Sequence, residues 1–184
     1  MLYGIVFLTG IIFAAYGITG LVKAYRSSRP FVQLYPLDDG IQFAELNQGG
    51  VYSISFVGAG TVKPGAAFTV TVHLHQNGSV CIVKVKPRSV KYRFLFQGTV
   101  AVEYYEFNIA APATAEIHIA NTDSIIVKQS MLWSKQLIQP PLHKSAIKVL
   151  VRKSAGSLTL AIYIFIFALG LVLAHVGGIL FITG

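Results

Sequence analysis

The sequence predicts a membrane-anchored all-β protein: an antiparallel β-sandwich, jelly-roll-like with about eight strands, inserted between an N-terminal and a C-terminal transmembrane helix. Three observations predict it. An uncharged apolar run lies at each extremity, over residues 2–22 and 158–183. Of the 184 residues, 54% are hydrophobic and 12% charged, against about 25% charged in an ordinary soluble domain. Between the runs, short stretches alternate apolar and polar side chains and are separated by turn-forming residues, as in a sandwich or small barrel.

Residues 1–23 read as the first span. About 20 apolar residues at 1.5 Å rise cross a hydrocarbon core roughly 30 Å thick, and a helix satisfies its own backbone polar groups there. Met1-Leu2-Tyr3-Gly4 carries no basic side chain, so the run is expected to be a retained anchor rather than a cleaved secretory signal. Gly10, Ala14 and Gly17 share one helix face, as small residues do where membrane helices approach closely. Residues 24–30 form a basic linker, with Arg26 and Arg29 following Lys23.

The β domain is expected over residues 31–133. Strands are predicted at 31–35, 41–46 and 51–57, the last with Tyr52, Ile54 and Phe56 on one face and two serines on the other. Phe68, Val70, Val72 and Leu74 alternate with Thr69, Thr71, His73 and His75, the cleanest half-buried pattern in the chain. Asn77-Gly78 is a hairpin signal, and the return strand over 80–85 turns Cys81, Val83 and Val85 inward. Further strands are predicted at 91–96 (Tyr92, Phe94 and Phe96 inward), 103–109 (Tyr105, Phe107 and Ile109 inward), 115–119 and 125–131. Gly58-Ala59-Gly60 and Lys63-Pro64-Gly65 read as loops. Trp133 fits either a headgroup-level anchor or ordinary core.

Residues 134–156 are read as a connector and basic juxtamembrane segment containing Pro140-Pro141; 146–153 is apolar with basic punctuation and fits either a last strand or an interfacial segment. Residues 157–184 are the second span, with Gly170, Ala174 and Gly178 at four-residue spacing. His175 is the one intramembrane candidate for a proton relay, and it has no acidic companion in either span.

Net charge is +8, from fifteen Lys and Arg against seven Asp and Glu. Basic residues flank the spans on the domain side: Lys23, Arg26 and Arg29, then Lys144, Lys148, Arg152 and Lys153. This bias places the β domain in the cytoplasm, with the spans in a bacterial inner membrane, although long domains translocate largely regardless of charge. A second basic group, Lys84, Lys86, Arg88, Lys91 and Arg93, is expected to form one surface patch joined by a turn through Arg88. It suits a solvated strand face or edge, anionic lipid or an acidic protein partner. Nucleic acid is not expected, because interleaved exposed aromatics and a binding motif are lacking.

His73 and His75 share a strand face that His118 could join on a neighbouring strand, a weak zinc candidate for which no carboxylate or thiol reads as a fourth ligand. The acidic residues, Glu103 and Glu116 among them, are dispersed. No nucleophile elbow, phosphate loop or dinucleotide fingerprint occurs, and Cys81, the single cysteine, is expected to be inward and inert. Neither a cofactor nor a catalytic role is expected. The sequence therefore suggests a non-enzymatic accessory or regulatory membrane subunit, docked on a larger membrane protein complex through its helices and binding a partner through its sandwich. An immunity protein that captures a membrane-active toxin and a ligand or metal sensor are the alternatives.

Overall fold

The computed structural model describes residues 2–27, 31–76, 78–128, 130, 133–140 and 142–183. In chain order its elements are α1 (Leu2–Ser27), β1 (Phe31–Pro36), β2 (Gly40–Leu46), β3 (Gly50–Val57), β4 (Thr61–Lys63), β5 (Thr69–Gln76), β6 (Ser79–Val83), β7 (Lys86–Pro87), β8 (Arg93–Phe96), β9 (Thr99–Ile109), β10 (Ala113–Ala120), β11 (Ile126–Lys128), α2 (Trp133–Ile138), β12 (Lys148–Lys153) and α3 (Ser157–Thr183). They divide into two compact units, Met1–Arg29 with Ser154–Gly184, and Pro30–Lys153.

The first unit is an antiparallel pair of apolar helices, each long enough to cross a bilayer. The helices touch along their small residues. A Cβ built on Gly10 would collide with the Ala174 backbone nitrogen, and one on Gly170 with that of Ala14. Large side chains such as Leu8, Ile12, Tyr16, Phe165 and Val172 are exposed.

In the second unit every pairing is antiparallel. One sheet, here sheet A, has the order β1-β12-β3-β9-β7, with β8 also on β9; sheet B has the order β2-β10-β5-β6; β4 and β11 form a separate ribbon. Neither sheet closes into a barrel. Among the described residues, eight strands have five or more residues. Consecutive long strands mostly alternate between the sheets, so β1 and β3 lie in sheet A while β2 lies in sheet B. Period-two alternation then sends Tyr52, Ile54, Phe56, Val149 and Val151 from sheet A, and Val72, Leu74, Ile117 and Ile119 from sheet B, into one core. The inner faces of two antiparallel sheets meet in a sandwich-like arrangement.

The structure decides or changes several sequence readings. The segment 148–153, which fitted either a last strand or an interfacial segment, is β12, hydrogen-bonded between β1 and β3. Its Val-Leu-Val run is apolar on both faces because sheet A is buried on both: Leu150 joins Val57 and Ala101 in a second cluster, packed by Leu34, Phe94 and Phe96. For the same reason Ser53 and Ser55, on the face opposite Ile54, are fully buried. Between the two expected loops lies a short strand, β4, paired with β11, and Lys63, read as the start of a loop, is its last residue. Phe94 and Phe96 pack on this second cluster rather than on the central core.

Cys81 is exposed. It pairs with Leu74 and so keeps the expected face, but β6 is the edge strand of sheet B and its first four residues are exposed. Gly78 has φ +78° in the β5–β6 hairpin, the left-handed conformation that Asn-Gly turns favour. Arg29, Asn77, the end of the strand expected at 125–131 and the side chain of Trp133 lie outside the described residues.

Candidate functional site

Three groups of expected site residues can be placed. The helix seam is the first. Gly17 lies against the Phe167 backbone, and Gly177 against that of Phe7, each with a built Cβ 2.6 Å from a backbone nitrogen. Gly178 has only ordinary contact with the Phe7 ring, at 3.4 Å. The close face of α3 is therefore Gly170, Ala174 and Gly177, matching Gly10, Ala14 and Gly17 of α1 in spacing. Seven residues return a helix to nearly the same face, eight do not, which is why strict four-residue spacing picked the wrong last glycine. These small faces are engaged with each other.

The basic patch is the second group, and the structure divides it. Lys84, Lys86, Lys91 and Arg93 are exposed, whereas Arg88 is buried. β7 and β8 run along β9 on either side of an interruption, where Arg88 N–H donates to the Tyr104 carbonyl at 2.8 Å and Glu103 N–H to the Tyr92 carbonyl at 2.9 Å. This turns the Arg88 side chain onto the outer face of sheet A, where its Nη1 pairs with Glu103 Oε2. Arg152, expected at the membrane surface, meets the same carboxylate: its Nη2 lies 2.8 Å and its Nε 3.1 Å from Glu103 Oε1. Ser53 Oγ donates to that oxygen at 2.9 Å. Glu106 stands 3.7 Å from Arg88 Nε. The Phe94 ring covers Arg152, with Cζ 3.5 Å from the ring centroid, a close cation–π stack. Two arginines balance two glutamates: Arg88, Glu103 and Arg152 are buried and Glu106 is partly exposed at the margin, so the cluster ties β3, β9, β12 and the segment after β7 together on this face of sheet A. Of the remaining juxtamembrane residues, Lys23, Arg26 and Lys148 are exposed, and Lys153 Nζ donates to Gln48 Oε1 at 2.8 Å.

The histidines form the third group. His73 and His75 on β5 and His118 on β10 do share the outer face of sheet B, because β5 pairs with β10 and the intervening Val72, Leu74 and Ile117 point into the core. The expectation that no carboxylate stands nearby is overturned. Glu116 is the register partner of His73, its Oε2 lies 2.5 Å from His75 Nε2, and its Oε1 lies 2.7 Å from His118 Nε2. The His75 hydrogen bond and then that of His118 hold the Glu116 carboxyl below the usual carboxylate range, against partial desolvation. The rings of His73 and His118 sit 4.6 Å apart between centroids, tilted by 39°.

A signal for this group was present. Glu116 and His118 are two apart on a strand and so share a face, as His73 and His75 do. Comparison with known protein families, curated proteins and solved structures finds no match to this chain.

Proposed function

We propose that the chain is an integral membrane protein of non-enzymatic, accessory or regulatory type. Its two helices cross the bilayer as a hairpin beside a larger membrane complex, and its β unit, a jelly-roll sandwich on the cytoplasmic side, binds a protein partner. The helical pair carries the reading: each helix presents its small-residue face to the other and large apolar side chains outward, an arrangement suited to a lipid or membrane-protein environment. A jelly roll is supported by the strand order. Numbered one to eight, the long strands run 1-8-3-6 in sheet A and 2-7-4-5 in sheet B, the pattern of two Greek keys. Lys23 and Arg26, just beyond the apolar stretch of α1, support the cytoplasmic side.

The native Cys81 is exposed and supplies the test without an introduced label. Expressed in bacterial cells, the chain should remain with carbonate-washed membranes. Cys81 should resist an impermeant maleimide in intact cells and react after permeabilisation. Extraction in mild detergent should yield a particle containing a second protein. A chain found in the soluble fraction would remove the membrane reading; labelling in intact cells would reverse the sidedness; a lone chain in detergent would remove the accessory role.

A further inference from the structure

The outer face of sheet B combines metal-binding donors with a rigid scaffold. His73 and His75 stand on β5, Glu116 and His118 on β10, the two central strands of the sheet. One ligand atom from each of His73, Glu116 and His118 can be chosen so that all three lie within 4.8 Å of one another. Donors around a tetrahedral zinc ion, with bonds near 2.0–2.2 Å, lie about 3.4 Å apart. Small side-chain rotations close that difference, and the backbone positions are already fixed by the ladder. The donor set is two imidazoles and one carboxylate. Imidazole nitrogens select borderline first-row ions over calcium and magnesium, which prefer all-oxygen sites.

The surroundings point the same way. Glu116 uses two oxygens differently: Oε1 faces His118, while Oε2 is held by His75 at 2.5 Å. A carboxylate ligand oriented by a hydrogen bond to its second oxygen is a usual outer-shell arrangement. Register places exposed apolar side chains on both sides of the group. Phe43 is opposite Glu116 and Ile41 opposite His118 on one flank; Ile82 is opposite His73 and Val80 opposite His75 on the other. Ile82 is 72% exposed and Phe43 55%. Apolar borders lower the local dielectric constant and strengthen ion–ligand attraction.

We propose that His73, Glu116 and His118 bind one zinc ion on the outer face of sheet B, with His75 as the positioning residue for Glu116. Three protein ligands leave a fourth position open, and here it faces solvent, where water or an exchangeable donor completes the tetrahedron. The site lies within the β unit and does not depend on the membrane reading.

The test uses the full chain in detergent micelles, with zinc and cobalt(II) ions as probes. Calorimetry should show one zinc per chain. Cobalt(II) should give the intense visible absorption of a four- or five-coordinate ion, and zinc should bleach it. His73→Ala and His118→Ala should each abolish that absorption. His75→Gln should keep the stoichiometry and weaken binding about tenfold, and His143→Ala should leave binding unchanged. A readout on the unaltered chain guards against variants that fail to fold: zinc should protect His73 and His118, but not His143, from acylation by diethyl pyrocarbonate. No saturable zinc binding, a six-coordinate cobalt spectrum, binding that survives loss of His118 in a folded variant, or equal acylation with and without zinc would each overturn the proposal and leave the group a surface hydrogen-bond network.

Discussion

Glu103 is 0% exposed, and its two oxygens are divided between two guanidinium groups, Oε2 toward Arg88 and Oε1 toward Arg152. Taking ions out of water costs several kcal/mol each, so such a cluster holds only while its partners remain together. Glu103→Gln removes the charge and leaves both arginines; the β unit should lose about 3–5 kcal/mol, read as a fall in the denaturant midpoint. Replacing all three together, with Arg88→Met, Glu103→Leu and Arg152→Met, should recover most of that loss, because the desolvation cost disappears with the charges. A triple variant no more stable than Glu103→Gln would show that specific hydrogen bonds, rather than charge matching, hold this face. Tyr35 presents a titration at the same scale. Burial pushes its phenol up to about 12, from 10.0, and its hydroxyl donates to the Phe43 carbonyl. A folded-state pKa above the unfolded one favours the neutral form, so the contribution is fully present below about pH 10 and is lost as pH rises toward 12. Burial raises Tyr52, Tyr104 and Tyr105 in the same direction. Denaturant midpoints should therefore fall between about pH 10 and pH 12. Tyr35→Phe should fall less steeply while starting about 1 kcal/mol lower. An unchanged slope would exclude Tyr35 as a contributor.

At the scale of elements, α1 and α3 are held by close backbone approach, and the tolerance of each glycine follows from what lies against it. Gly177 faces the Phe7 backbone and Gly178 only the Phe7 ring. Gly177→Ala should lower the thermal stability of the helical pair in micelles by about 1–3 kcal/mol, the usual penalty of overpacking, whereas Gly178→Ala should be near neutral. Equal effects would mean that the helices pack by another face. That seam was largely legible, because small-residue spacing in an apolar run reports a helix face directly. Strands are harder to read where a ladder is irregular. Alternation from Ile109 back through Phe107 and Tyr105 would carry Glu103 into the central core. A bulge intervenes: Ile54 pairs with Tyr105 and Ser55 with Glu103, leaving Tyr104 without a register partner on β3. One extra residue exchanges the faces, so Tyr104 turns inward to accept a hydrogen bond from Val62 N–H at 2.8 Å, and Glu103 turns outward to the arginines. Nothing in local sequence marks that position. Sequence alone left 146–153 open between a last strand and an interfacial segment, since Lys148, Arg152 and Lys153 also fit the composition of a membrane flank; pairing with β1 and β3 on either side decides it.

For the whole molecule, the position of β12 decides where the β unit ends. Phe31, at the start of β1, is the register partner of Arg152 near the end of β12, so the chain enters and leaves this unit on adjacent strands. Domains inserted into another element generally have such neighbouring ends, and here the interrupted element is a pair of helices that contact each other along their length. The final strand is also structural: without it β1 loses its partner in sheet A, Val149 and Val151 leave the core, and Glu103 loses Arg152. A fragment of residues 30–153 should therefore fold alone, soluble and with one cooperative unfolding transition. A fragment ending at 133, where turn spacing and composition put the boundary, should expose the vacated edges of β1 and β3 and aggregate. Analytical ultracentrifugation and thermal unfolding of the two fragments distinguish the outcomes. Equal stability would make β12 an accessory strand, and aggregation of both would mean that the β unit depends on the helices to fold.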